Sequence, residues 1–354
     1  MARTALDVSG KKMAVLPPLF RRYGAELSCA LRASLSYDGC RVYDTLRYAM
    51  GWADSDGNPV TAATGKALRP TLCLFACEVI GGTADRAMPA AVAIELIHNF
   101  SLIHDDIQDH DKTRRGRPTV WAVWGEPKAI VSGNALRAVA DISLERLVEQ
   151  GVSIPDALRV IALLTEAYLQ MIEGQYLDLD YEKRHDVGQD AYLNMISLKT
   201  GALIRCSLEM GAFLGTKDLG AVDAFRRFGR SLGFVFQIRD DILGVWGKEG
   251  KTGKPVGADI RRKKNSFPVV HAMGHANGTD AAMLREAYRK EALDDHDVAQ
   301  VLEVMERIGT RDQAQALAQR HCDDALAALE GVALSPQAQE EIEDLAHFLL
   351  VREH

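Results

Sequence analysis

Residues 87–118 read AMPAAVAIELIHNFSLIHDDIQDHDKTRRGRP. From Ala90 to Ile103 the apolar side chains return every three or four positions, the period of one face of an α-helix. The pattern runs into Asp105, Asp106 and Asp109. The four-residue step from Asp105 to Asp109 places two carboxylates on one side of that helix, about 6 Å apart along its axis. Such a pair repels itself and suits hard cations that take oxygen ligands, with an external polyanion bridging them. Lys112, Arg114 and Arg115 follow directly, and the guanidinium fork matches phosphate oxygens. Taken alone, the stretch also reads as a solvated acidic helix end.

Working outward, the same period governs residues 154–174, 191–215 and 221–247 and continues through the last hundred residues. Strand-like alternation is nearly absent. Pro70, Pro89, Pro127, Pro155 and Pro255 fall between these runs or at their first turns, where a missing N–H does least harm. The expectation is an all-α fold of about ten to thirteen helices, a large helical bundle around a central cavity. Ala91, Ala93, Gly201, Gly211, Gly229 and Gly233 permit close helix contacts or ordinary tight packing. Neither NPVTAATG at 58–65 nor EKRHDVGQD at 182–190 has the length or uniform polarity of a linker, so residues 1–354 are expected to form a single helical domain.

Composition excludes several classes. A chain of 354 residues that is 47% hydrophobic and 26% charged, with 6 Cys, is neither disordered, collagen-like nor a disulfide scaffold. With 42 basic against 49 acidic residues, net −7, general attraction to nucleic acid is not expected. No stretch approaches the roughly 18 apolar residues of a membrane-spanning helix, and a cytoplasmic protein is expected. The cysteines are dispersed and read as reduced thiols, with Cys73 and Cys77 sharing a helix face.

A second acidic pair, Asp240 and Asp241, preceded by Gln237, ends the run at 221–247 and is followed by Lys248, Lys251, Lys254 and RRKK at 261–264. Two carboxylate walls with lysines and arginines beside them point to Mg²⁺ held between protein and a diphosphate. His271 and His275 stand four apart without the glutamate of a zinc hydrolase motif and read as structural. Trp121 and Trp124 read as packing or as a flap. GKT at 250–252 lacks the spacing of a nucleotide-binding loop.

Five separated signals then agree in order: GKALRP at 65–70, DDIQD at 105–109 within HNFSLIHDDIQDHDKTRRGRPT, Lys199–Thr200, FQIRDDILG at 236–244, and GKPVGADIRRKK at 253–264. Over nearly its whole length the chain resembles the trans-isoprenyl diphosphate synthases, the polyprenyl synthetase family. The resemblance implies the all-helical isoprenoid synthase fold around a deep cavity, commonly dimeric, that elongates an allylic diphosphate with isopentenyl diphosphate and Mg²⁺. On that pattern Asp105 and Asp109 would coordinate two ions and Asp240 a third, with Asp106 and Asp241 supporting ligation and hydration. Arg114, Lys199 and Lys254 would hold the allylic diphosphate, with Gln237 near its oxygens and Thr200 beside the developing carbocation. Lys66, Arg69, His98 and Arg115 would form a metal-free site for isopentenyl diphosphate, and Lys263 would add to substrate binding. The reaction implied is ionisation, condensation and proton loss, the released pyrophosphate acting as base.

Gly244 stands where the family often has a third acid in the second motif, which predicts weaker binding of the third Mg²⁺. Ala67 replaces a common arginine, while Lys66 and Arg69 keep the charge. Product length is expected to be set by Ile97, Phe100 and Ser101 on the helix before Asp105. With no insertion in the first motif and a bulky Phe100, short products are expected, geranylgeranyl diphosphate ahead of farnesyl diphosphate. Two rivals remain: a class I terpene cyclase, which needs no second diphosphate site, and a non-catalytic partner subunit, which needs no acids on both walls.

Overall fold

The computed structural model describes residues 17–60, 65–182, 184, 186–248, 250 and 255–353. Among them are seventeen α-helices. The first seven are α1 Leu19–Arg22, α2 Gly24–Ser34, α3 Val42–Ala49, α4 Leu68–Val79, α5 Ala84–Gln108, α6 Val120–Trp124 and α7 Glu126–Glu145. Next come α8 Ile154–Tyr181, α9 Gln189–Ile196, α10 Ala202–Gly215, α11 Leu219–Trp246 and α12 Ala258–Arg261. The chain ends in α13 Phe267–His275, α14 Gly278–Arg289, α15 Asp295–Arg307, α16 Thr310–Ala328 and α17 Pro336–Val351. The periodic runs of the sequence become the long helices, α5 with 25 residues and α8 and α11 with 28 each. Their starts are chemically marked: the Ser153 hydroxyl accepts from the Asp156 N–H at the head of α8, with Pro155 in the first turn.

The expected all-α bundle is what forms. α5 packs along α7, α10 lies against α4 and α11, and α11 runs along α16. Phe75, Phe225, Phe228 and Tyr192 are fully buried among aliphatic side chains in the main core. A smaller apolar cluster of Val245, Ile260, Val269, Leu284, Val301 and Met305 joins the end of α11 to α12–α15. Just before α10, where the chain meets α11, the contact is glycine on glycine. A Cβ at Gly233 would stand 2.7 Å from the Gly201 Cα, so only glycine lets these backbones approach.

Three local features depart from the expected pattern. Pro89 lies inside α5, in its second turn, where the bond it removes is to a carbonyl of the first turn. Between α9 and α10, Ser197–Gly201 forms a wider π-helical turn, which swings Lys199 and Thr200 out of the α-helical register. The basic segment folds back on itself: Thr113–Arg114 pairs antiparallel with Arg117–Pro118. The two residues of its turn, Arg115 (φ +52°) and Gly116 (φ +75°), both take the left-handed conformation of a tight hairpin. No alternating pattern announced this ladder, because two residues per strand are too few to show one. Among the described residues no helix is long and apolar enough to cross a membrane.

Candidate active site

At the end of α5 the Asp109 N–H donates to the Asp105 carbonyl, and the two side-chain carboxylates make no hydrogen bond or salt bridge with any described residue. Burial is the larger influence on Asp105, and with Asp109 and Asp178 nearby it raises the carboxyl to about 6 although Lys199 and Arg114 oppose it. Asp109 is raised by burial as well. Asp106 differs: it is buried and accepts a 2.7 Å bond from the Arg114 Nε. The arginine that follows the acids therefore braces the middle one, while the outer two stay open to a ligand.

Opposite stands a second wall on α11. Asp240 is exposed, with the Arg352 Nη2 3.1 Å from its Oδ1. Asp241 is buried and fully engaged, accepting from the Phe267 N–H at 2.8 Å, the Tyr192 hydroxyl at 2.5 Å and the Gln237 amide at 2.9 Å. Burial lifts its carboxyl to about 6 even so. Gln237 in turn accepts from the Thr200 hydroxyl at 2.6 Å, and the Lys199 ammonium donates to Asp178 at 2.5 Å. A cavity of about 650 Å³ is lined by Asp105, Arg114, Lys199, Thr200, Gln237 and Asp240.

The same cavity takes in Lys264, not the expected Lys263. Lys263 has φ +53° just past α12, and its ammonium donates to the carbonyls of Tyr288 and Lys290, away from the cavity. That turn leaves Lys264 facing inward, 3.8 Å from Asp241. Burial opposes its charge, but Asp241, Asp259, Asp178 and Asp240 together hold the ammonium above its ordinary value. The basic run carries the signal, yet only the backbone turn says which lysine of the pair points inward. Lys254 lies outside the described residues. Asp178 and Tyr192 had no signal in the sequence beyond being polar on helical segments.

The gap at Gly244 has a physical reason. A Cβ there would overlap the Asp259 carboxylate, so an acid from α12 occupies the space a longer side chain at 244 would need. Asp259 is buried and electrostatically coupled to Lys264.

A second cavity, of about 390 Å³, adjoins the first and is lined by Lys66, Arg69, His98, Arg115 and Arg352 with one carboxylate, Glu95. The Arg69 Nη1 lies 3.3 Å from the His98 Nε2. Burial, with Arg69 and Arg115 nearby, pushes His98 well below its ordinary value, so its ring is neutral. Burial also brings Arg69 down to about 10, and its Nε is buried without a partner. This crowd of cations can hold a polyanion. Arg114 and Arg115, adjacent in the chain, are divided by the hairpin turn between the two cavities.

Of the residues expected to set product length, Phe100 and Ser101 line the larger cavity one turn behind Asp105, together with Met171, Ile172 and Tyr176 of α8. Ile97 does not: it is fully buried in the core a turn further back. His271 is buried, bonded to Thr310 and stacked on His275 at 4.1 Å, as a structural pair is. Trp124 packs edge-on against Tyr48, and the Trp121 indole donates to the Asp111 carbonyl.

Residues 55–305 match the family model described as polyprenyl synthetase. The chain belongs to the polyprenyl synthetase family. It is 35% identical over 356 residues to a (2E,6E)-farnesyl diphosphate synthase of Mycobacterium tuberculosis, an alignment covering 100% of this chain and 95% of that one. It is 39% identical over 291 residues to a geranylgeranyl diphosphate synthase of the same organism, covering 82% and 81%. The fold superimposes on the crystal structure of a polyprenyl synthetase from Streptomyces coelicolor A3(2) with a TM-score of 0.87 at 35% identity, covering 94% of this chain and 99% of that one. As a polyprenyl synthetase the protein is a trans-prenyltransferase, joining isopentenyl diphosphate to an allylic diphosphate with Mg²⁺. The donor set fits that ion. Among the described residues no group of three or more acids, histidines or cysteines is gathered closely enough to hold a cation alone. Two unbraced carboxylates at the end of α5, and the exposed Asp240 of α11 beside Arg352, leave coordination positions for diphosphate oxygens, which is how Mg²⁺ is usually held.

Proposed function

We propose that this polyprenyl synthetase makes a short all-trans diphosphate, geranylgeranyl diphosphate in preference to farnesyl diphosphate. The observation that carries this reading is the position of Phe100 and Ser101 in the wall of the larger cavity, one turn from Asp105. A large ring there limits how far a tail can descend, and the small Ser101 beside it leaves more room than two bulky residues would. The mycobacterial relatives include both product types, so the choice rests on the cavity itself.

In this reading the allylic diphosphate lies in the larger cavity against Arg114, Lys199 and Lys264, with Asp105 and Asp109 holding two Mg²⁺ and Asp240 a third. Bound there, the ions would neutralise the leaving diphosphate as the C–O bond breaks. The side chains do the rest. The cationic groups are preorganised where negative charge develops. The Thr200 hydroxyl donates its hydrogen bond to the Gln237 amide oxygen, which leaves its oxygen lone pairs for the allylic cation. The second cavity holds isopentenyl diphosphate by Lys66, Arg69 and Arg115. Its double bond attacks the cation, and the released pyrophosphate takes the proton whose loss restores the alkene. Phe100 and Phe236 help keep water from the cation.

The deciding assay supplies Mg²⁺ and isopentenyl diphosphate with dimethylallyl, geranyl or farnesyl diphosphate, and measures product length and pyrophosphate. A C20 diphosphate is expected. Hydrocarbon formed without isopentenyl diphosphate would mean a terpene cyclase instead. Phe100→Ala should shift products to chains longer by one or more five-carbon units, and an unchanged product distribution would remove Phe100 as the floor.

The chain is read as a homodimer. Ile130, Val131 and Ile142 on α7 and Ile154, Leu158 and Leu169 on α8, helices that touch each other, are exposed apolar side chains that a second copy would cover. Light scattering should give twice the chain mass of 38.8 kDa. A monomer at micromolar concentration would contradict this.

A further inference from the structure

Gly133 is buried well inside α7, where glycine is unfavourable relative to alanine. The reason for it stands on α5. A Cβ at Gly133 would overlap the His104 Nε2 and come within 2.6 Å of its Cδ2, so the tip of the imidazole fills the notch that the absent side chain leaves. The same Nε2 lies 3.4 Å from the Ile130 carbonyl oxygen, about one turn before Gly133. One turn back from His104 along α5 is Phe100, whose ring meets the imidazole edge-on with centroids 4.8 Å apart. His104 and Phe100 both line the larger cavity, with Asn134 of α7 beside them. The backbone of α7, the imidazole and the Phe100 ring thus form one stack that is anchored on Gly133 and ends in the cavity wall.

A ring fixes the length of a cavity only if something fixes the ring. Phenylalanine turns about two side-chain torsions, and a neighbour packed on its edge restricts both. We propose that Gly133 and His104 are specificity-determining residues for product length, the imidazole acting as a spacer of fixed thickness between α7 and Phe100. His104 acts here by its volume, with no charge or proton transfer required of it. The inference rests on the reading of Phe100 as the floor of the larger cavity and deepens it, because the height of that floor is then set from the neighbouring helix. Opposite changes should move the floor in opposite directions. A methyl group at position 133 pushes the imidazole off α7 and towards the cavity, and the Phe100 ring with it, so the tail has less room. Loss of the imidazole lets the Phe100 ring fall back towards α7, and the tail has more.

Product distributions from dimethylallyl diphosphate, isopentenyl diphosphate and Mg²⁺, analysed by chain length, test this. Gly133→Ala should raise the ratio of C15 to C20 product by about fivefold, somewhat less than a methyl group in direct contact with a bound tail would do. His104→Ala should extend the products beyond C20. The double variant decides the mechanism: with no imidazole to push, the methyl at 133 has nothing to act through, and the products should match those of His104→Ala alone. His104→Phe, whose six-membered ring is too long for the notch, should favour C15 as Gly133→Ala does, and serves as the test if the alanine variant melts early. Unchanged products in both single variants, or shifts that simply add in the double variant, would overturn the inference while Phe100→Ala still lengthened the chain. If Phe100→Ala itself changed nothing, the floor reading would fall, and this inference with it.

Discussion

Asp105→Asn is expected to lower kcat for prenyl transfer by about 10³-fold, the scale of removing one group that stabilises developing charge. The amide keeps the size of the carboxyl and loses the charge that holds a cation. Steady-state rates measured against Mg²⁺ concentration check this, and retention of more than a tenth of the rate would end the ligand role of Asp105. The folded protein should not suffer. Burial raises the Asp105 carboxyl to about 6, above its ordinary value, so without metal its ionisation opposes folding. The sign follows: as pH rises from the ordinary carboxylate range through 6, the unaltered metal-free protein loses stability that the asparagine variant keeps. At pH 7 urea unfolding should therefore find the variant at least as stable as the parent. A residue maintained at a cost to the fold and needed for rate is what a functional acid looks like.

The second large effect is on stability. Asp241→Ala should cost about 3 kcal/mol, since it removes a charged acceptor from three donors and leaves the Lys264 ammonium among fewer anions. Lys264 is 39% exposed at the side chain, which keeps the figure at the low end for a broken ion pair. Asp241→Asn, which still accepts one set of bonds, should cost about 1 kcal/mol. Urea unfolding of the two variants separates the possibilities, and equal stability of Asp241→Ala and parent would show that the network holds without its centre. The activity of both should fall, because Gln237 orients Thr200 only while Asp241 holds the Gln237 amide.

The first and second acid clusters behave differently although their sequences look alike, and that contrast shows how far the sequence could be read. Helical spacing was enough to place Asp105 beside Asp109, and the periodic runs were enough to give the bundle. Spacing could not tell that Asp106 is braced by Arg114, or that Asp241 is a buried hub, because those facts depend on partners 8 and up to 49 residues away. Nor does the RRKK run show that Lys264, not Lys263, faces the cavity: one left-handed residue decides which ammonium points inward, and composition carries no trace of it. Gly244 read as a missing acid, whereas packing shows Asp259 in the space. Ile97 shares a helix face with Phe100 and Ser101, but a face that runs from core to cavity has both kinds of position, and sequence period does not mark the crossing.

The hairpin at Arg114–Arg117 gives the enzyme a ruler. Consecutive Cα atoms stand about 3.8 Å apart, whatever the side chains. Because Arg114 lines one cavity and Arg115 the other, the spacing between the two head groups that the proposed reading places there would be referred to one peptide unit and a turn whose shape Gly116 makes possible. Changes in the tail pocket can alter how long a product grows. On the proposed reading they would leave untouched the gauge between the two head groups, so product length could vary while the joining step stays the same.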